Sequence, residues 1–68
     1  MCLTINLERE EDGRWITEVP DLPGVMVYGQ TQDHAITKVK ALSLRVLAHR
    51  IEQGESVPET EPLFSVAP

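Results

Sequence analysis

The chain has 68 residues, with 11 Asp and Glu against six Lys and Arg and a formal net charge of −5. A domain of this size buries only about 60% of the surface that its unfolded chain exposes, so its core needs a supplement. The single cysteine, Cys2, excludes a disulfide within the chain, and Cys2, His34 and His49 lack the spacing of a zinc site. We therefore expect a homo-oligomer, a dimer or higher, without metal or other cofactor.

The acidic composition also narrows the class of partner. Phosphate binding depends on Lys and Arg, so an acidic domain is poorly suited to nucleic acids and better suited to a basic protein. The sequence shows no basic-then-apolar signal at its start, and no apolar run approaches the roughly 20 residues of a membrane span. We expect a cytoplasmic protein without membrane contacts.

The first half of the chain is predicted to form a three-stranded meander. Alternating apolar and polar residues predict strands at about 3–10 and 14–19, and Asp12-Gly13 between them suits a tight hairpin turn. The prolines and glycine of Pro20–Gly24 break the second strand, and Val25–Tyr28 has the composition of a third.

One long helix is predicted from about Gln32 to Gln53. Thr31 suits the N-cap position, Asp33 lies near the positive end of the helix dipole, and Gly54 supplies the stop. Two apolar arcs lie side by side on this helix. The first comprises Ala35, Val39, Leu42 and Val46, and the second comprises Ile36, Leu44, Leu47 and Ile51. One arc is enough to dock a helix on a sheet, so we expect the second arc, together with Phe64, to form an oligomer interface.

The predicted fold class is α+β with the order βββαβ. A βββα core at 1–54 is followed by an acidic, proline-containing connector at 55–62 and a short strand at 63–68. The meander makes strand 3 parallel to strand 1, and a crossover through the helix can place the last strand parallel to strand 1 as well. The last strand could instead pair with a neighbouring subunit, and the sequence does not decide between the two.

Several of these residues together resemble the HicB family of antitoxins from prokaryotic type II toxin–antitoxin systems. The matching features are Pro20-Asp21-Leu22-Pro23-Gly24, a following strand, Gly29, Thr31, Ala35 and Ala41-Leu42, with Trp15 ahead of the turn. The resemblance covers about residues 3–54 and is closest to the short members that consist of this domain alone. It implies a partial ribonuclease-H-like fold and a role in neutralising a small basic ribonuclease toxin of the HicA type.

The chain departs from the family pattern in two ways. Many members have a DNA-binding domain after this module, whereas this sequence ends at Pro68, so we do not expect DNA binding. Members usually have an acidic residue where this chain has His34.

Two regions are predicted to contact a partner. Asp21 and Leu22 lie in a proline-stiffened loop, although Asp21 could equally bond the backbone amides of its own turn. Ile16, Met26 and Tyr28 are expected on a sheet face that the helix does not cover, although a register shifted by one residue would bury them.

Other polar clusters receive structural interpretations. His34, Lys38, Arg45 and His49 form a basic helix face that suits a solvated surface better than a phosphate site. The acidic run Glu8, Glu10, Glu11 and Asp12 fits a solvated hairpin better than a nuclease centre, which needs carboxylates converging on two metals. No base is identifiable beside Cys2, and no catalytic constellation is recognisable, so we expect no enzyme activity.

The leading hypothesis is therefore an antitoxin module that buries the active surface of a basic toxin. The alternative is a solitary oligomeric domain of the same fold with a structural or small-ligand role and no toxin. A weak RNA-binding protein that uses the basic helix face is a third, less favoured reading.

Overall fold

A mixed sheet with one long helix on one side makes up the structure, a computed structural model that describes residues 3–55 and 64–67. The elements are β1 (Leu3–Arg9), β2 (Trp15–Glu18), β3 (Met26–Gly29), α1 (Gln32–Glu52) and β4 (Phe64–Val66). The four-stranded sheet has the order β3-β2-β1-β4, in which β1, β2 and β3 are antiparallel neighbours and β4 is parallel to β1. The predicted α+β fold with βββαβ order is confirmed.

The last strand pairs with β1 of its own chain, with Leu3 opposite Phe64. The backbone N–H of Ala67 continues this pairing and donates to the carbonyl of Ile5 at 2.9 Å. Most of the predicted connector, together with Cys2, Leu63 and Pro68, lies outside the described residues.

The β1–β2 hairpin closes through a glycine in the left-handed region. The N–H of Glu10 donates to the Arg14 carbonyl at 2.7 Å, and the N–H of Gly13 donates to the Glu10 carbonyl at 3.0 Å. Gly13 has a positive φ of 89°, whereas Asp12 has a negative φ. Within the Asp12-Gly13 pair, only the glycine therefore adopts the left-handed conformation.

Side-chain capping defines the start of α1. Thr31 Oγ1 accepts a hydrogen bond from the backbone N–H of His34 at 3.1 Å, and Asp33 lies in the first turn. At the other end Gln53 is the C-cap and Gly54 has a φ of 82°. The predicted start and stop are confirmed to within one residue.

The core lies between α1 and the inward face of the sheet. Its buried apolar side chains are Leu3, Ile5, Val19, Leu22, Val25, Val39 and Leu47. The buried line of the helix consists of Ala35, Val39, Ser43 and Leu47. Leu42 and Val46 of the predicted first arc are only partly buried, because the helix is rotated toward Ser43 and Leu47. Ser43 is buried with its hydroxyl satisfied, because Oγ donates a hydrogen bond to the Val39 carbonyl at 2.7 Å.

The helix approaches the sheet closely at Gly29. A Cβ added to Gly29 would lie 2.5 Å from the backbone nitrogen of Ala35 and 2.7 Å from its Cα. Gly29 is the last residue of the third strand, where it pairs with Trp15. Next to this contact the buried hydroxyl of Thr17 donates to the Ala35 carbonyl at 3.1 Å. A missing side chain and one buried hydrogen bond together fix where α1 lies on the sheet.

This contact predicts an unusually costly glycine substitution. Gly29→Ala should lower the free energy of unfolding by about 3 kcal/mol, the upper end for overpacking, because the added methyl meets backbone atoms that cannot turn away. Urea unfolding followed by circular dichroism measures the change. Gly13→Ala is the control, since its Cβ would meet nothing within 4 Å and only its positive φ is penalised, by about 1 kcal/mol. Equal losses for the two variants would contradict the close approach.

Candidate functional site

The face of the sheet turned away from α1 is the candidate site. Since strand side chains alternate between the two faces, the residues between the buried ones point to this side. We call this surface the open face, and its residues are Asn6, Glu8, Ile16, Glu18, Met26 and Tyr28. Met26 is 48% exposed and Tyr28 is 40% exposed, so the open face presents two neighbouring large side chains to solvent.

Cross-strand pairing arranges the open face in two rows. Glu8 lies opposite Ile16, which lies opposite Tyr28. In the adjacent row Asn6 lies opposite Glu18, which lies opposite Met26. Each row thus places a carboxylate beside a large apolar side chain. A shallow depression of about 390 Å³ lies over these rows and reaches Ala67 beyond β4.

The carboxylates of the open face have no cation beside them within the described part of the chain. In residues 3–55 and 64–67 the one ion pair joins Arg14 to Asp12 on the hairpin. Glu8 and Glu18 are exposed and take no part in it. The surface therefore combines uncompensated negative charge with exposed apolar area, a combination that suits a partner with both basic and apolar groups.

Arg14 links the hairpin tip to Tyr28. Its backbone N–H donates to Asp12 Oδ1 at 3.0 Å and its Nε donates to Asp12 Oδ2 at 2.6 Å. Asp12 thus holds the Arg14 side chain in place. The guanidinium carbon of Arg14 lies 4.4 Å from the centroid of the Tyr28 ring, a cation–π distance. Glu10 beside it is half-buried and Glu11 is exposed, and both line the same surface as Arg14 and Tyr28, so the acidic tip is continuous with the aromatic end of the open face.

The Pro20–Gly24 turn is anchored in the core by one of its own side chains. Leu22 is only 1% exposed, and its backbone bonds to Val19 and Val25 at 3.0 Å each. Leu22, predicted to face a partner, therefore points into the core of its own chain. Asp21 is exposed and accepts a long hydrogen bond of 3.4 Å from the N–H of Thr4, on β1 rather than within its turn.

The residues predicted to form an oligomer interface divide into two groups. Leu47 is 7% exposed and belongs to the core, while Ile36 and Phe64 are partly buried against it. Leu44 and Ile51 are 50% and 60% exposed, on the side of α1 that faces away from the sheet. The second apolar arc is therefore not one continuous surface.

The basic helix face is exposed as expected, with one specific contact. His34, Lys38, Arg45 and His49 all lie at the surface. Lys38 Nζ donates to the Tyr28 carbonyl at 2.9 Å, on the strand that ends the sheet. A charged side chain at this position protects the β3 edge from pairing with another strand.

Neither a metal site nor a membrane-spanning helix is found among the residues described. Across residues 3–55 and 64–67, no group of three or more His, Cys, Asp or Glu side chains is arranged to hold a metal ion. Within the same ranges, no helix combines the length and apolar character that crossing a membrane requires.

Sequence reasoning misses two residues of the site. Glu18 shares a face with Ile16 by simple alternation, so the strand pattern could have identified it. Arg14 carries no such signal, because its position over Tyr28 depends on the hairpin conformation and on Asp12.

The Asp12–Arg14 pair predicts a measurable titration. Hydrogen bonds from the backbone N–H and then the side chain of Arg14 lower the pKa of Asp12 below its ordinary value of 3.8. Ionised Asp12 thus favours the folded state above pH 3.8, and this contribution is lost as the pH falls through the lowered pKa. In an NMR titration, Arg14→Gln should raise the pKa only part of the way, since the backbone donor remains. Arg9→Gln is the control and should leave it unchanged. An Asp12 that titrates at or above 3.8 in the unmodified chain would contradict the geometry.

The chain is similar to a small protein from an archaeon. No family model and no solved structure matches the chain. The UPF0150 protein Ta0767 of Thermoplasma acidophilum is 28% identical over 58 residues, which cover 85% of this chain and 84% of that protein. The chain therefore has a distant UPF0150 homologue that it matches over most of both lengths.

Proposed function

We propose that this protein is a HicB-like antitoxin module that binds and neutralises a small basic ribonuclease toxin of the HicA type. Three observations support the proposal. The Pro20–Gly24 turn and the residues after it resemble that family, and the βββαβ fold is the one that the resemblance implies. The third is the distant UPF0150 homologue from Thermoplasma acidophilum, which suggests a toxin–antitoxin-like role.

The open face is the binding surface in this proposal. The observation that favours it most is the placement of Glu8 and Glu18, without a neighbouring cation, beside the half-buried Ile16 and the exposed Met26. Lys and Arg side chains of a basic toxin would pair with the carboxylates, while apolar groups of the toxin would pack on the two large side chains. The negative charge would also accelerate the encounter with a basic partner.

Neutralisation in this mode is stoichiometric and needs no chemistry from the antitoxin. The toxin is silenced because its own active surface is covered, so affinity and shape decide the outcome. Asp21, exposed on the turn anchored by Leu22, remains a predicted additional contact. A cytoplasmic location follows from the role as a further expectation.

Co-expression tests the role directly. The tagged chain is produced together with the small basic protein encoded beside its own gene. A stable complex, and restored growth of cells in which that protein alone is toxic, are expected. If the purified proteins do not associate and growth is not restored, the antitoxin role is wrong and the solitary oligomeric domain becomes the better description.

Charge reversal on the open face tests the surface. Glu8→Lys combined with Glu18→Lys should raise the dissociation constant of that complex by about 30-fold or more, because like charges then meet across the interface. Isothermal titration calorimetry measures the change.

Glu52→Lys combined with Glu55→Lys is the matched control for this experiment. It alters the net charge by the same amount at exposed positions near the end of α1, outside the open face. Equal weakening by the two double variants would show that net charge, not the open face, governs binding.

A further inference from the structure

The side of α1 opposite the core presents a regular apolar seam. Its residues, which we call the outer seam, are Thr37, Ala41, Leu44, Ala48 and Ile51. All five are exposed, and their spacing alternates between four and three residues, as in the contact positions of a helix pair. Leu44 and Ile51 are among the most exposed large apolar side chains of the described residues.

Residue size alternates along the outer seam in a way that fits a second copy of the same helix. When two copies run antiparallel with Leu44 opposite Ala48 of the second copy, Ile51 falls opposite Ala41 of the second copy in the same register. Each large side chain then meets a small one in every layer. Alternation of large and small residues lets two helices approach closely without leaving voids.

The opposite charges of Lys38 and Glu52 beside the seam favour the same orientation. On its flank lie Lys38 in the first half of the helix and Arg45 and Glu52 in the second half. In the antiparallel register Lys38 lies opposite Glu52 of the second copy, and this pair occurs twice. A parallel arrangement would lose this pair, because Lys38 and Glu52 would then lie about 21 Å apart along the axis, at 1.5 Å per residue. Lys38 can serve both this pair and the Tyr28 carbonyl, since an ammonium group has three donors.

We propose that the outer seam binds a second copy of this chain and forms an antiparallel, two-fold symmetric helix pair. The open faces then point away from the dimer axis on both sides and stay available to a partner. This dimer supplies the additional burial that a core of this size needs. It does not depend on the antitoxin role, and the two can fail separately.

Sedimentation equilibrium of the full chain tests the dimer. A dimer is expected at micromolar concentrations, and a monomer that persists to millimolar concentration would overturn the proposal.

Leu44→Glu should raise the dissociation constant by about 30-fold or more, as for a central interface residue. Met26→Glu is the matched control, because Met26 has nearly the same exposure but lies on the sheet, and it should leave self-association unchanged. Equal weakening by both variants would also overturn it.

A second variant distinguishes a specifically packed interface from nonspecific apolar association. Its result does not depend on whether Leu44→Glu folds. Ala48→Phe adds apolar surface at an exposed position but removes the small residue that the register needs opposite Leu44. Close packing predicts weaker association for this variant. Stronger association would mean that the seam binds apolar groups without the proposed register.

Charge variants test the orientation. In the proposed register Arg45 lies opposite Arg45 of the second copy, so Arg45→Gln should tighten the dimer by about two- to fivefold, the scale of an exposed charge pair. Glu52→Lys should weaken it, and adding Lys38→Glu should restore it. A double variant as weak as Glu52→Lys alone would contradict the antiparallel register.

Discussion

The architecture depends on the close approach of α1 to β3 at Gly29. Only a residue without a side chain leaves room for the backbone of Ala35 at this distance, and Thr17 adds a buried hydrogen bond to the same turn of the helix. This contact sets the position and rotation of α1. The helix consequently covers one face of the sheet, leaves the other face open, and turns Leu44 and Ile51 outward. Both proposed binding surfaces are consequences of one steric fit.

The two surfaces differ in chemistry. The open face sets carboxylates next to apolar side chains, and in the described part of the chain Glu8 and Glu18 have no cation beside them. The outer seam alternates small and large apolar residues, with opposite charges at the two ends of its flank. The first suits a basic partner of different sequence, and the second suits a copy of itself. A single helix packed on a sheet thus provides a small domain with two separate interfaces.

Local patterns predict much of the fold but not the rotation of the helix. Strand alternation, the Thr31 cap and the glycine stops depend on neighbouring residues, so the element order and their approximate bounds follow from sequence. Burial of Ser43 depends on tertiary packing and on a hydroxyl that bonds within its own helix, which apolar periodicity does not detect. Leu22 illustrates the same limit, because a loop residue between prolines looks exposed until the core that receives it is known. Of the site, Ile16, Met26 and Tyr28 follow from alternation, whereas the position of Arg14 depends on the folded hairpin.

The central claim is that the open face is where a basic protein binds. NMR chemical-shift mapping of the labelled chain, titrated with the small basic protein encoded beside its gene, tests this most directly. The account predicts that the largest amide shifts fall on β1, β2 and β3 around Glu8, Glu18 and Met26, with little change along the outer seam. Shifts concentrated on the outer seam, with the open face unperturbed, would contradict it.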